Sequence, residues 1–247
     1  MSRSQKPGKD RLFALPLADI AGFRFDRAVV EVFPDMIERS VPGYATIIGM
    51  TGTLAKHYVR ADTRCYDLGC SLGASTIAMR HGINADRCKI IAVDNAPDMI
   101  EQCAAIIASD SGLTPVELLC ADVLEIAISQ ASMAVMNFTL QFVDPAARDR
   151  LIADIYTGLE PGGILVLSEK IAFADPHVDA LMVELHHGFK RANGYSQLEI
   201  SQKRTALENV LIPETLDTHR RRLANAGFAS VDVWFQCFNF VSILAIK

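Results

Sequence analysis

The sequence predicts an α/β fold, a doubly wound and mostly parallel seven-stranded sheet with an antiparallel C-terminal strand and N-terminal and C-terminal helical lid segments. Three observations predict it. From residue 64 onward, short apolar runs alternate with segments of helical spacing, as repeated βα units do. A glycine-containing turn, "DLGCSLG", joins the first such run to the first helical segment. At the C-terminus "ASVDVWFQCFNF" and "VSILAIK" read as two adjacent strands, a known way to finish a parallel sheet.

The elements follow in order. Residues 1–20 read as a flexible arm, and residues 21–247 as a single domain. "RAVVEVFPDMIERSVPGYATIIGMTGTLAKHYV" has mixed three- and four-residue apolar spacing and reads as two or three short helices broken at Pro34 and Pro42. "RCYDL" is a strand, and "ASTIAMRHG" a helix closed by Gly82. "CKIIAVD" is a strand, followed by a helix with Pro97 in its first turn. "PVELLC" is a strand, "ADVLEIAIS" a loop with a short helix, and "ASMAVMNF" a buried strand. "PAARDRLIADIYTGL" is a helix, and "PGGILVLSEKIAF" a turn and a strand. Residues 176–226 form a mostly helical insertion, with a turn at Asn193-Gly194 and a capping box at Ser196 to Glu199 that opens a helix.

The 247 residues are half hydrophobic, enough for one well-buried domain. The net charge is −5 and the Lys and Arg residues are scattered, which disfavours direct nucleic-acid binding. The six cysteines contain no C-x-x-C pair, so no metal is expected, and most lie in apolar runs as reduced small hydrophobes. The polar start "MSRSQKPGKD" and the interrupted "LFALPLADIAGF" are neither a secretory signal nor a membrane span, so the expected setting is cytoplasmic.

The turn holds the chemistry. Gly69 and Gly73 flank Cys70, Ser71 and Leu72, and let the backbone approach a ligand. The spacing is neither G-x-G-x-x-G nor a P-loop, and Asp67 just before it would repel a pyrophosphate but suit an ammonium group. The letters also fit the G-x-S-x-G elbow of a hydrolase, with Ser71 at the centre, but the neighbouring acids argue against that. Asp94 ends the second strand, where an acid accepts hydrogen bonds from a ribose diol, or else caps the next helix. Together with Asp67 and the glycine turn it favours a nucleoside ligand. Asp122 stands where an exocyclic amine of adenine would lie, and by itself is a loop or cap residue. Asn137 ends the fourth strand, facing the reaction centre of such a layout or serving as a turn residue.

"YDLGCSLG", "VDNAP", "CADV" and "NFTLQF" together resemble the motifs of class I S-adenosylmethionine-dependent methyltransferases, with Ser71 where those enzymes usually carry a third glycine. No "[DN]-P-P-[YF]" acceptor motif and no catalytic His or Cys pair accompanies them, and His186 and His187, being adjacent, point to different sides of a helix. "VVEVFPDMIERSVPGY", "LSEKIAF", "HHGFKRANGYS" and "VWFQCFNF" extend the likeness to nearly the whole chain from about Phe23. In these stretches the chain resembles the carboxy-S-adenosyl-L-methionine synthases.

That resemblance implies a conversion of S-adenosyl-L-methionine and prephenate into carboxy-S-adenosyl-L-methionine and phenylpyruvate. The product serves a separate enzyme that carboxymethylates the wobble uridine of tRNA. It implies a homodimer, no metal, and ligand contacts from Tyr44, Gly69, Cys70, Ser71, Asp94, Asn95, Asp122, Val123, Asn137 and Arg204. The chemistry is self-consistent. The sulfonium acidifies its methyl group, and loss of the proton leaves a carbon nucleophile. Prephenate loses carbon dioxide and hydroxide as its ring becomes aromatic. The hydroxide takes the methyl proton, and the carbon nucleophile captures the carbon dioxide. The protein then supplies proximity and water exclusion.

Arg204 is expected on one helix face with Ile200, Leu207 and Leu211, as a guanidinium interrupting an apolar stripe. Such a group needs an anion, either a core acid or the ligand's new carboxylate. Lys190, Arg191 and Tyr195 are candidates for gripping prephenate, with an exposed basic face as the alternative. The competing functional readings are a small-molecule methyltransferase with the same pocket and a module that only sequesters the ligand.

Overall fold

In the computed structural model, which describes residues 8–17, 20 and 22–247, seven strands run in the order β3-β2-β1-β4-β5-β8-β7. They are β1 (Arg64–Leu68), β2 (Lys89–Asp94), β3 (Val116–Cys120), β4 (Ala131–Asn137), β5 (Leu159–Ala172), β7 (Ser230–Cys237) and β8 (Phe240–Ile246). The two-residue β6 (Glu214–Thr215) pairs with the end of β5. Strands β1 to β5 are mutually parallel, and β8 is antiparallel to both of its neighbours. β1 lies between β2 and β4, so the strand order reverses there and opens a crevice at the strands' carboxyl ends.

The helices are α1 (Arg27–Ser40), α2 (Tyr44–Tyr58), α3 (Ala74–Gly82), α4 (Pro97–Ser109), α5 (Pro145–Gly158), α6 (Pro176–Ala192), α7 (Gln197–Leu207) and α8 (Leu216–Ala226). Strands covered on both faces read as continuous apolar runs, and β4 is buried at six successive positions from Ala131 to Met136. The largest core cluster includes Tyr66, Leu68, Met136 and Leu167 with α5 and α8; a second includes Cys65, Met133 and Val166 with α2 and α3.

Two boundaries differ from expectation. α1 runs through Pro34 without a break. Val29, Val30 and Met36 are buried on both sides of the proline, and this packing outweighs the lost backbone bond. Pro42 does separate α1 from α2. Gly82 is the last helical residue rather than a left-handed cap, and the reason for glycine is space. A Cβ there would stand 2.0 Å from the carbonyl oxygen of Gly52, because α2 and α3 pack backbone to backbone.

The expected arm falls partly outside the described residues, at residues 1–7, 18 and 19. Its described part is docked. The Gln202 amide donates to the carbonyls of Phe13 and Leu15 at 2.9 Å and accepts from the Leu17 N–H at 2.7 Å. Asp10 is 1 % exposed and lies 3.6 Å from Lys203, while the Tyr195 hydroxyl donates to it and the Arg39 guanidinium donates to its backbone carbonyl.

On the far side, the fully buried Arg148 donates to Glu214 at 2.7 Å and to the carbonyls of Val143 and Gln141. Arg222 completes this network through Glu214 and Asp149. His219 lies near it, 2 % exposed, with neither ring nitrogen bonded among the described residues. Burial, and then the charge of Arg222, hold its pKa down to about 4. A base whose folded pKa is depressed contributes stability that is present above its ordinary value near 6.5 and lost as pH falls toward 4. His219→Leu should therefore flatten the loss of stability across that window by up to about 1.4 kcal/mol per pH unit. Urea midpoints measured against pH check this; an unchanged slope would clear His219 of the role. Some slope should remain from His186, which burial pushes down to about 3.

Candidate functional site

At the crevice the chain encloses a cavity of about 410 Å³. Its lining includes Tyr44, Gly69, Cys70, Ser71, Asp94, Asn95, Asp122, Val123 and Asn137. Nine of the ten expected contact residues thus meet in one space.

The turn after β1 is built by conformation and close approach. Gly69 and Gly73 lie at φ +88° and +83°. A Cβ on Gly69 would stand 2.1 Å from Thr139 Oγ1, and one on Gly73 2.7 Å from Cys103 Sγ, so both positions need glycine twice over. Ser71, at φ +50°, takes the left-handed conformation that a glycine would enter at no cost. The N–H groups of Gly69 and Cys70 both reach the Val93 carbonyl, which binds the turn to β2.

Asp94 holds both sides of that junction. One carboxylate oxygen accepts the Ser71 N–H and the other the Ala96 N–H, each at 2.9 Å. Each oxygen keeps a lone pair for a diol. The cap reading and the ligand reading of Asp94 are therefore compatible, and burial raises its pKa. Asp122 likewise accepts the Leu124 N–H at 2.9 Å, opening a short 3₁₀ turn, and lines the cavity as well.

Asp67 differs from expectation. It is 1 % exposed, does not line the cavity, and accepts the Thr76 hydroxyl at 2.6 Å. Burial pushes its pKa up to about 7. It supports the turn from below rather than facing an ammonium group. Tyr44, at the start of α2, packs on Phe138, and burial followed by the charge of Asp67 raises its phenol well above the ordinary range.

Asn137 is fixed by its neighbours. Its oxygen accepts from Ser168 at 2.6 Å, and its nitrogen donates to Ser75 at 2.9 Å. The next loop hangs from Glu169, which is 1 % exposed. Its two oxygens accept the N–H groups of Leu140 and Gln141, each at 2.9 Å. Burial pushes Glu169 up to about 8, against those backbone bonds.

Arg204 overturns the expectation of a guanidinium interrupting an apolar stripe. α7 ends at Leu207, so Leu211 is not on it, and the buried positions are Glu199, Ile200, Gln202, Lys203 and Ala206. Arg204 is exposed and does not line the cavity. Its charge nevertheless reaches Lys170. The cation of α7 that does line the cavity is Lys203.

Of the other candidates, Lys190 lines the cavity. Arg191 is exposed and paired with Glu184 at 2.7 Å, and Tyr195 is bonded to Asp10 outside the lining. Lys170, Lys203, Gln141 and the aromatic wall of Phe23, Phe25, Phe33, Phe138 and Phe142 were not foreseen as lining. Lys170 had a signal, a pair of charges, Glu169 and Lys170, near the end of a buried strand in "LSEKIAF". His186 lines the cavity too, with Nε2 held at 2.8 Å from the Ser40 carbonyl and its pKa pushed down to about 3 by burial.

Among the described residues no group of three His, Cys, Asp or Glu side chains could hold a metal, and no helix is long and apolar enough to cross a membrane.

Comparison with known proteins places this geometry. Residues 66–163 match a methyltransferase domain family. Among solved structures, an O-methyltransferase family protein from Burkholderia thailandensis superposes with a TM-score of 0.64 at 15% identity, over 90% of this chain; this chain spans only 60% of that protein. A putative S-adenosyl-L-methionine-dependent methyltransferase from Methanococcus maripaludis gives a TM-score of 0.59 at 19% identity, over 94% of this chain and 97% of its own. These likenesses show the fold. In sequence the chain is 59% identical to the carboxy-S-adenosyl-L-methionine synthase of Trichlorobacter lovleyi, over 96% of this chain and 98% of that one. It is 56% identical to that of Yersinia pestis, over 98% and 91%. At this identity over nearly the full length, the chain belongs to the carboxy-S-adenosyl-L-methionine synthase family.

Proposed function

We propose that the protein converts S-adenosyl-L-methionine and prephenate into carboxy-S-adenosyl-L-methionine and phenylpyruvate. In this reading it works in the cytoplasm and hands its product to a separate tRNA carboxymethyltransferase acting on the wobble uridine. What carries the reading is the convergence of nine ligand positions in one cavity of a chain so similar to named synthases. Gly69 to Ser71 would hold the amino-acid end, Asp94 and Asn95 the ribose, and Asp122 and Val123 the adenine. Tyr44 and Asn137 would face the sulfonium. The aromatic wall would exclude water, as capture of carbon dioxide in place requires.

Mass spectrometry of the small molecule released from the denatured protein tests the reading. A carboxylated S-adenosylmethionine is expected. S-adenosylhomocysteine alone would favour an ordinary methyltransferase, and the same product formed without prephenate would exclude that co-substrate.

Asp94→Ala removes both acceptors for the diol and also frees the Ser71 and Ala96 N–H groups. S-adenosylmethionine and its carboxylated form should both bind roughly one to two decades more weakly, the worth of a charged hydrogen bond. Unchanged calorimetric affinity for both would leave Asp94 a purely structural residue.

In this reading Arg204 meets the new carboxylate from a second copy of the chain. Its exposure supports that assignment, as do Leu181, Leu185 and Leu198, exposed by 54%, 39% and 39% on α6 and α7. Mixing Arg204→Leu and Asp94→Ala proteins then leaves one intact site in each mixed dimer, so two weak variants should recover roughly a quarter of the normal rate. No recovery after subunit exchange would confine Arg204 to its own subunit.

A further inference from the structure

The cavity carries a separation of charge. Asp94 and Asp122 line it beside the ends of β2 and β3. Lys170, Lys190 and Lys203 line it from β5, α6 and α7. Lys190 lies within electrostatic reach of the other two, since the charges of Lys203 and Lys170 both act on it.

Their surroundings differ. Lys203 is compensated by Asp10 at 3.6 Å and donates to Ser40 Oγ at 3.2 Å. Among the described residues, Lys190 and Lys170 have neither a side-chain hydrogen bond nor an ion pair, although Lys190 is only 8 % exposed; Asp10 and Asp179 act on them only from a distance, and less than burial does. A sheltered ammonium without an anion is costly, and two facing one space are costlier.

Both are held in place. Lys170 stands two residues after Ser168 on β5, so the two side chains leave the same face of the strand, and Ser168 bonds Asn137. Lys170 is also the register partner of Phe240 on β8. Lys190 stands one turn after His186 on α6, and the His186 ring rests edge-on against Phe240 at 4.8 Å. The strand and the helix therefore bring both cations to the Asn137 side of the cavity, against an aromatic surface.

We propose that Lys170 and Lys190 are the recognition site for the two carboxylates of a dianionic co-substrate with an apolar ring. This assignment rests on the synthase reading, in which prephenate is such a dianion. Two cations without a direct partner match two carboxylates, and Phe138 and Phe240 offer the ring a wall. Lys203, already neutralised by Asp10, positions the N-terminal segment instead. Arg191, exposed and paired with Glu184, takes no part.

The experiment uses full-length Lys170→Met and Lys190→Met proteins, with Arg191→Met as the control and folding confirmed by circular dichroism. The KM for prephenate is measured at saturating S-adenosylmethionine. The affinity for S-adenosylmethionine is measured by calorimetry, and prephenate is titrated into the protein loaded with S-adenosylhomocysteine. Each lysine variant should lose roughly ten- to a hundredfold in KM and in prephenate affinity. Affinity for S-adenosylmethionine should stay within about twofold, Arg191→Met should match the parent protein, and Lys190→Arg should recover most of the loss. The ligand-free Lys→Met proteins should melt no lower than the parent, since a cation without a direct partner has been removed.

Prephenate KM values within twofold of the parent would overturn the lysine assignment while leaving the synthase reading intact. An equal loss of S-adenosylmethionine affinity would overturn it too, by making the lysines general supports of the pocket. A parent protein that neither binds nor turns over prephenate would overturn the synthase reading itself, and the lysine assignment with it.

Discussion

The site hangs from a chain of buried hydrogen bonds across the carboxyl ends of the strands. Ser242 on β8, Ser168 on β5, Asn137 on β4 and Ser75 on α3 are linked at 2.7, 2.6 and 2.9 Å. The proton directions follow from the Asn137 oxygen facing Ser168. A carboxamide oxygen only accepts, so the single Ser168 proton goes to Asn137 Oδ1, and Ser242 must donate to Ser168. Asn137 Nδ2 then points to Ser75. The amide at the edge of the cavity is thus held on both sides by buried hydroxyls, and breaking one link leaves its neighbour short of a partner.

The loop that follows β4 depends on the same strand end. Glu169 receives the first N–H groups of that loop, and Gln141 returns a bond by accepting the Lys170 N–H at 3.0 Å. Arg148 pulls on Gln141 and Val143 from the other side. Thr139 in this loop is what a Cβ on Gly69 would strike. The turn after β1 and the loop after β4 are therefore one packed unit, and neither can be substituted freely without the other.

Much of this was legible in the sequence because it is local. The βα alternation, the glycine turn, Asp94 at a strand end and the Ser196–Glu199 capping box each declare themselves within a few residues, and the capping box is present with both of its bonds. What was not legible depends on which face of an element turns inward once other elements pack on it. On α7 the apolar spacing pointed to the face of Arg204, but docking of the N-terminal segment through Gln202 and Asp10 turns Lys203 inward instead. Asp67 looked like a ligand group because it precedes the turn, yet strand alternation sends its side chain to the face covered by α3, where it accepts from Thr76. Pro34 read as a break because the sequence does not show how much apolar surface the helix buries on either side of it.

The same packing bears on where the methyl proton goes in the proposed reaction. His186 is buried, held by Ser40 and titrates near 3, so it is a poor base at neutral pH. Tyr44 is a phenol raised far from ionisation. Both oxygens of Asp94 accept backbone N–H groups beside the turn, away from the lysine side of the cavity. Lys190, held down to about 7 by burial and by its neighbouring lysines, is the cavity amine whose free-base form is most accessible, ahead of Lys203, which burial pushes down to about 8. A carboxylate arriving beside it favours the ammonium and raises that pKa. Binding of the dianion would thus remove the best available base at the moment of reaction. In the proposed reaction the hydroxide expelled from the aromatising ring is a stronger base, made beside the methyl group. A cavity whose most accessible base is charged by the arriving dianion suits a reaction whose base comes with the substrate.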